Sequence, residues 1–303
     1  MARTLHAARS ATTSRAGTTI FLHIGKTAGS TLRKVLHRNV PRAQTLLVQT
    51  PQRRDTLRPR REGTVEAFAR MPEDVRARAK LVEGHVIFGI HRFVPGPSTY
   101  ITVLRDPVAL AVSQYRYVVR TPGHRLHDMV TSGSMGLEDY VRSGISLEVD
   151  NSQTRAISGD VSAPFGGCSE AMLDAAKRHI EEHFAVVGLT ERFDESLVLM
   201  GRMFGWKRLS YVPLKVAPAS REPIPDHVRR LLEEQNRFDL ALHRYAGERF
   251  QRAVEDLPSF EADLRRFRRR NAVYRRLGGM VHTVPQRLHT AIQRGRAVTS
   301  TGM

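Results

Sequence analysis

Lys26 sits in the run Gly25-Lys-Thr-Ala-Gly-Ser-Thr31, where two glycines and three hydroxyl side chains separate the apolar stretch Ile20–Ile24 from the helical pattern Ala28–Arg38. Leu32, Val35 and Leu36 recur there at helical spacing. A turn of this composition between a strand and a helix presents successive backbone N–H groups at a helix N-terminus, where the helix dipole also favours an anion. The lysine adds a full charge and the hydroxyls add donors, so the chemistry implied is a cradle for phosphate or sulfate. A nucleoside-triphosphate loop of the Walker type needs a glycine five positions before Gly25, and that position is Ile20, inside the expected strand.

A second group of the same character lies downstream. Tyr100–Leu104 reads as a strand, Asp106 as a helix N-cap and Pro107 as the first helical residue. Arg105 leaves the strand end as a fork of donors suited to phosphate, and Ser113, two helical turns on, adds a hydroxyl. An aspartate after an apolar strand can also serve as a metal ligand for a nucleotide, but the Arg-Asp-Pro order suits an anion site with a capped helix better.

Together, His23-Ile-Gly-Lys-Thr-Ala-Gly-Ser-Thr31 and Val103-Leu-Arg-Asp-Pro-Val108, with Ser113 following, resemble the paired nucleotide signatures of carbohydrate sulfotransferases, in particular the heparan sulfate and uronyl 2-O-sulfotransferases and their bacterial relatives. The segments Glu83-Gly-His-Val86, Asp150-Asn-Ser-Gln-Thr-Arg155 and Val187-Gly-Leu-Thr-Glu-Arg-Phe-Asp194 extend the likeness from about Thr18 to about Phe250. The resemblance implies 3′-phosphoadenosine 5′-phosphosulfate (PAPS) as co-substrate. It puts Gly25, Lys26, Thr27, Ala28, Gly29, Ser30 and Thr31 at the 5′-phosphosulfate, Arg105 and Ser113 at the 3′-phosphate, and His85 as the catalytic base. Gly25 stands where many relatives carry proline, and Glu83 stands where the 2-O enzymes have the first histidine of a His-Gly-His run.

Sulfuryl transfer to a hydroxyl depends on positioning and charge stabilisation. A base must take the acceptor proton, worth roughly 10²–10⁴-fold, and a histidine suits that task near neutrality. A lysine at the bridging oxygen offsets the charge gained by the leaving phosphate. His85 and Lys26 take these roles, and no metal is required. Glu83, Arg120, Arg125, Gln153 and Arg155 are the candidates for contact with the acceptor. Glu83 could instead orient His85 or be a solvated strand residue, and helix capping with surface charge accounts equally well for Gln153 and Arg155. Glu191 and Arg192 read as a helix cap, His23 and His91 as packed residues, and His124 and His127 as members of an exposed loop. Lys215 and Arg221 flank a Pro-rich loop that could close over the nucleotide.

Positioning these groups calls for alternating strands and helices, hence an α/β fold with a mainly parallel central sheet flanked by helices; the resemblance makes it P-loop-like and three-layered. Expected strands are Ile20–Ile24, Leu81–Val86, Tyr100–Leu104, Phe184–Leu189 and Leu209–Val212, and a single long helix is expected over Asp226–Glu255. Residues 1–17 read as a flexible tail, 18–258 as the PAPS-dependent domain and 259–303 as a basic helix and tail. Arg265–Arg276 alternate with Leu264, Phe267, Val273, Tyr274 and Leu277 in a pattern suited to an anionic membrane surface. The 303 residues carry a net charge of +18. Arg53, Arg54, Arg58, Arg60, Arg61, Arg116, Arg120 and Arg125 would favour an acidic sugar if they line the acceptor cleft. Basicity also fits a nucleic-acid binder, but aromatics are sparse, no recognition motif appears and both anion turns would go unexplained. A P-loop kinase is the other rival. One cysteine and a polar first 18 residues lead to the expectation of a cytoplasmic enzyme.

Overall fold

The computed structural model describes residues 17–48, 64–214 and 223–281. Its centre is a five-stranded sheet of β1 (Thr18–Leu22), β2 (Thr45–Val48), β3 (Leu81–Gly84), β4 (Ser98–Leu104) and β5 (Phe184–Leu189), every neighbouring pair parallel, in the order β2-β3-β1-β4-β5. β1 is buried along its whole length, as a central parallel strand covered on both faces must be. The chain leaves β1 toward β2 on one side and leaves β4 toward β5 on the other. The crevice beyond the carboxyl ends of β1 and β4 is therefore the switch point where α/β sheets take ligands.

Helix α1 (Gly29–Asn39) follows β1 and buries Leu32, Val35 and Leu36. Two short helices, α2 (Thr64–Ala69) and α3 (Glu73–Ala77), precede β3, and α4 (Pro107–Arg120) follows β4. Then come α5 (His127–Ser132), α6 (Leu137–Arg142), α7 (Ser152–Ser158) and α8 (Glu170–His183) before β5, and α9 (Phe193–Phe204) after it. The chain continues as α10 (Asp226–Gln235), α11 (Arg237–Glu255) and α12 (Phe260–Val281). The main core joins the sheet to α1, α8, α9 and α11; a second cluster around Val112, Val118, Leu126, Tyr140 and Leu232 packs α4 against α5, α6 and α10.

β1 begins and ends two residues before the expected Ile20–Ile24, and β3 stops at Gly84 rather than Val86; three further elements differ more. β2 was not foreseen: it is a four-residue, half-exposed strand at the sheet edge. Leu209–Val212 runs extended but joins no sheet, because side chains of helices occupy its backbone: Asn271 Oδ1 accepts from Tyr211 N at 2.7 Å, and the Arg38 guanidinium donates to Ser210 O. The single helix expected over Asp226–Glu255 breaks at Asn236, since Asn151 Oδ1 takes the N–H groups of Phe238 and Asp239 that a continuous helix would return to its own carbonyls. At the C-terminal end, Phe260, Leu264 and Phe267 are buried in the main core, so the first half of α12 turns its apolar face to the domain.

Candidate active site

The turn after β1 is tightly wound. Lys26 and Ala28 both adopt left-handed backbone, φ 63° and 60°, a conformation costly for residues with a Cβ and concentrated at functional sites. Thr27 is buried, and its hydroxyl donates to Ile24 O at 2.9 Å, bracing the turn from within. Thr31 N and Leu32 N turn back to Ala28 O, leaving Gly29 and Ser30 at the open start of α1. The Thr31 hydroxyl accepts from Leu214 N at 3.1 Å. The seven turn residues thus divide: the hydroxyls of Thr27 and Thr31 brace protein, while Gly25, Lys26, Ala28 and Ser30 are only half-buried.

The second turn meets the first. Arg105 Nη1 donates to Lys26 O at 3.0 Å, tying the end of β4 across the crevice to the end of β1. Burial holds the Arg105 guanidinium below its usual value, opposed by the carboxylates of Glu191 and Asp106. Asp106 caps α4 through its side chain to Ala109 N at 2.8 Å, with Pro107 in the first helical position. Asp106 N donates to Glu191 Oε1 at 2.8 Å. Ser113 lies half-buried on α4, one turn before Tyr117. The Lys26 ammonium rests 4.0 Å from the centroid of the Tyr117 ring, a cation–π contact that joins α4 to the first turn.

His85 follows β3 directly. Its ring stacks on that of His23 at 4.4 Å, and Nδ1 lies 3.2 Å from His23 O. A carbonyl only accepts, so Nδ1 carries the proton in that bond and the neutral ring holds its lone pair on Nε2. His23 is itself wedged against α1: a Cβ at Gly29 would stand 1.9 Å from His23 Nε2. Gly29, His23 and His85 therefore form a stack linking the turn after β1 to the His85 imidazole. Gly84 keeps β3 against β2, since a Cβ there would fall 2.0 Å from Val48 O.

Of the remaining expected residues, Gln153 meets the second turn and the others take different partners. Glu83 is buried, and Oε1 pairs with Arg33 Nη2 at 2.8 Å and with His37 Nε2 at 2.9 Å, both on α1. It clamps α1 to β3. Gln153 is fully buried and pairs both ways with Arg105: its Oε1 accepts from Arg105 N and its Nε2 donates to Arg105 O, each at 2.9 Å. Arg155, 2% exposed, bridges Asp150 at 2.5 Å and donates to the carbonyls of Ala163 and Pro164, a scaffold role. Arg120 is exposed at the end of α4, bonded to Arg116 O, and Arg125 is half-buried in the connection to α5. Arg53, Arg54, Arg58, Arg60, Arg61, Lys215 and Arg221 lie outside the described residues.

Asn151 and Asp239 explain why Gln153 stands where it does. Asn151 Oδ1 accepts from the first N–H groups of α11, and the Asp239 carboxylate accepts from Gln153 N and Thr154 N of α7 at 3.1 and 2.7 Å. Each helix caps the other. Burial pushes Asp239 up, against the pull of those N–H groups.

A family model described as galactose-3-O-sulfotransferase matches residues 3–279 of the 303. The chain belongs to the galactose-3-O-sulfotransferase family. Galactose-3-O-sulfotransferase 3 of Mus musculus is 27% identical over 257 residues, covering 77% of this chain and 56% of the mouse protein. Heparan-sulfate 6-O-sulfotransferase 3 of Mus musculus is 26% identical over 282 residues, 80% of this chain and 59% of that protein. Galactose-3-O-sulfotransferase 2 of Homo sapiens is 24% identical over 263 residues, 76% and 63%. The chain thus spans somewhat more than half the length of these relatives. A carbohydrate sulfotransferase was the resemblance drawn from the motifs, and membership of the galactose-3-O-sulfotransferase family agrees with it; the matched names carry 3-O and 6-O where the motifs suggested the 2-O branch.

The expectation of a cytoplasmic enzyme does not stand. The relatives are sulfotransferases of the animal Golgi type, which work in the lumen. That no described helix is long and apolar enough to cross a membrane assigns no compartment. Tyr117, which holds the Lys26 ammonium over its ring, was not singled out from the sequence. An aromatic in the third turn of an amphipathic helix looks like packing, and only its i+4 spacing from Ser113 carried a signal.

Proposed function

We propose that this chain transfers a sulfuryl group from PAPS to a carbohydrate hydroxyl. The observation that carries the reading is the Arg105–Lys26 contact, which brings two anion-binding turns to one crevice at the sheet's switch point. The donor set suits a molecule anionic at both ends. Gly29 and Ser30 at the start of α1, with Lys26, would hold the 5′-phosphosulfate, and Arg105 with Ser113 would hold the 3′-phosphate. PAPS supplies the activated sulfuryl group. His85 takes the acceptor proton on Nε2, oriented by the Nδ1 bond to His23 O and by the ring stack. Lys26 moves from the Tyr117 ring to offset charge on the leaving phosphate. The transfer is in line: the acceptor oxygen bonds to sulfur as the bond from sulfur to the bridging phosphate oxygen breaks, with His85 at the entering oxygen and Lys26 at the leaving one.

Melting in the presence of adenosine 3′,5′-bisphosphate, ATP with magnesium, or duplex and single-stranded nucleic acid tests the reading. The bisphosphate should stabilise most. Larger stabilisation by ATP with magnesium would point to a kinase, and by nucleic acid to a polyanion binder. Incubation with ³⁵S-labelled donor and a panel of galactose-terminated and glycosaminoglycan acceptors should transfer label to a sugar.

A further inference from the structure

A cavity of about 320 Å³ opens between α9 and α12, beside the segment that follows α9. Its charged lining comprises Arg202, Lys207, Arg266 and Arg270 against the single carboxylate of Asp263, a net charge of +3. Asp263 is already occupied, bridged by Arg202 at 3.2 Å and by Arg266 at 3.4 Å. Trp206 lines the same cavity, braced by Phe204 in a 4.7 Å stack, and buried Phe267 adds an apolar surface.

This combination narrows the ligand. With Arg202 and Arg266 turned to Asp263, an apolar molecule would leave Lys207 and Arg270 without use, and a bare inorganic anion would leave the indole and the phenyl ring without use. A sugar ring with a sulfate or carboxylate substituent offers an apolar C–H face to the aromatics and an anion to the guanidinium forks. The volume, at the small end of ligand sites, suits one or two such rings.

The cavity is mechanically joined to the donor turn. Asn39 Oδ1, at the end of α1, accepts from Lys207 N and Arg208 N, each at 3.1 Å. The chain then runs back along α1 until Leu214 N reaches the Thr31 hydroxyl. Asn39 and Thr31 are about 12 Å apart along the helix axis.

We infer that this cavity is a second saccharide site, which holds an acidic residue of the acceptor chain about a short oligosaccharide's length from the donor turn. The inference rests on the carbohydrate-sulfotransferase reading, but binding can be measured without PAPS. Trp206 is the sole tryptophan of the chain, so its fluorescence reports on this cavity alone.

The full chain is titrated with a sulfated glycosaminoglycan tetrasaccharide, with a neutral N-acetyllactosamine tetrasaccharide and with adenosine 3′,5′-bisphosphate, in low and in 0.5 M salt. Expected is a saturable change in Trp206 emission with the sulfated tetrasaccharide only, weakened at least tenfold by high salt and at least tenfold in Lys207→Ala/Arg270→Ala. In that variant, KM for a sulfated acceptor should rise while kcat stays within twofold. Melting of the variant checks that it is folded. No emission change with the sulfated tetrasaccharide, equal response to the neutral one, or undiminished binding by the folded variant would each overturn the site. A response to the bisphosphate instead would make it a nucleotide pocket. Loss of the reading proposed for the donor turns would show separately, as absent stabilisation by bisphosphate with the fluorescence titration intact.

Discussion

Two glycines four residues apart make opposite demands on the first turn. A Cβ at Gly25 would meet nothing within 4 Å, whereas one at Gly29 would collide with the His23 ring. Gly25→Ala should therefore be neutral or stabilising by up to ~1 kcal/mol through the unfolded chain. Gly29→Ala should cost ~1–3 kcal/mol and disturb the His23–His85 stack; comparing the two melting curves and turnover rates checks this, and equal behaviour would refute the wedge. His85→Ala should abolish turnover while adenosine 3′,5′-bisphosphate still binds, because the imidazole is assigned to the acceptor proton. Near wild-type turnover would remove it from the mechanism. Arg105→Ala should weaken bisphosphate binding by ~1.5–3 kcal/mol, the scale of a hydrogen bond to a charged group; unchanged affinity in a titration would contradict the assignment.

At the scale of elements, the segment Asp150–Arg155 acts by holding others in place. Gln153 satisfies both backbone groups of Arg105, and its own position depends on the reciprocal capping of α7 and α11. Gln153→Glu keeps the shape but sets a carboxylate oxygen against Arg105 O, where an amide N–H had donated. It should destabilise by ~1–3 kcal/mol and lower donor affinity while leaving the pH dependence of kcat, set by His85, where it was. A shifted pH profile with intact donor affinity would mean that Gln153 acts on the chemistry directly.

Across the whole molecule, the crevice lies at the carboxyl ends of the strands, and a cluster of aromatic and imidazole rings packs on Tyr100 and Phe184 near the amino ends of β4 and β5. His91, His179 and His183 pack around Phe88 and Tyr100, with Phe88 and His179 stacked at 3.7 Å. Burial, with repulsion from His183, Arg92 and His179, lowers His91 to about 4; burial also lowers His179 and His183. The fold thus favours the neutral rings. Their contribution is complete above the ordinary histidine value of about 6.5 and is lost as pH falls from there toward 4, with His91 accounting for ~1–2 kcal/mol after allowance for its half-exposed ring. The melting temperature should drop between pH 7 and pH 5, and the drop should be shallower in His91→Gln. Parallel curves would exclude His91 as the source.

What the sequence determined by itself was local: the two strand–turn–helix units, the N-cap at Asp106, the parallel α/β pattern and the carbohydrate-sulfotransferase likeness. Each depends on residues a few positions apart, whose hydrogen bonds and periodicity are written in the order of the chain. Only the tertiary structure decided which partners those residues meet. Glu83, two positions from His85, turns to Arg33 and His37 on α1, and Arg155 is enclosed by the chain from Asp150 to Pro164. Tyr117 gains its lysine from a turn 91 residues away, and Asn151 breaks a helix that periodicity alone would continue. Burial compels each polar group to find a partner across the fold, and that partner's identity is a fact of packing which no spacing along the chain encodes.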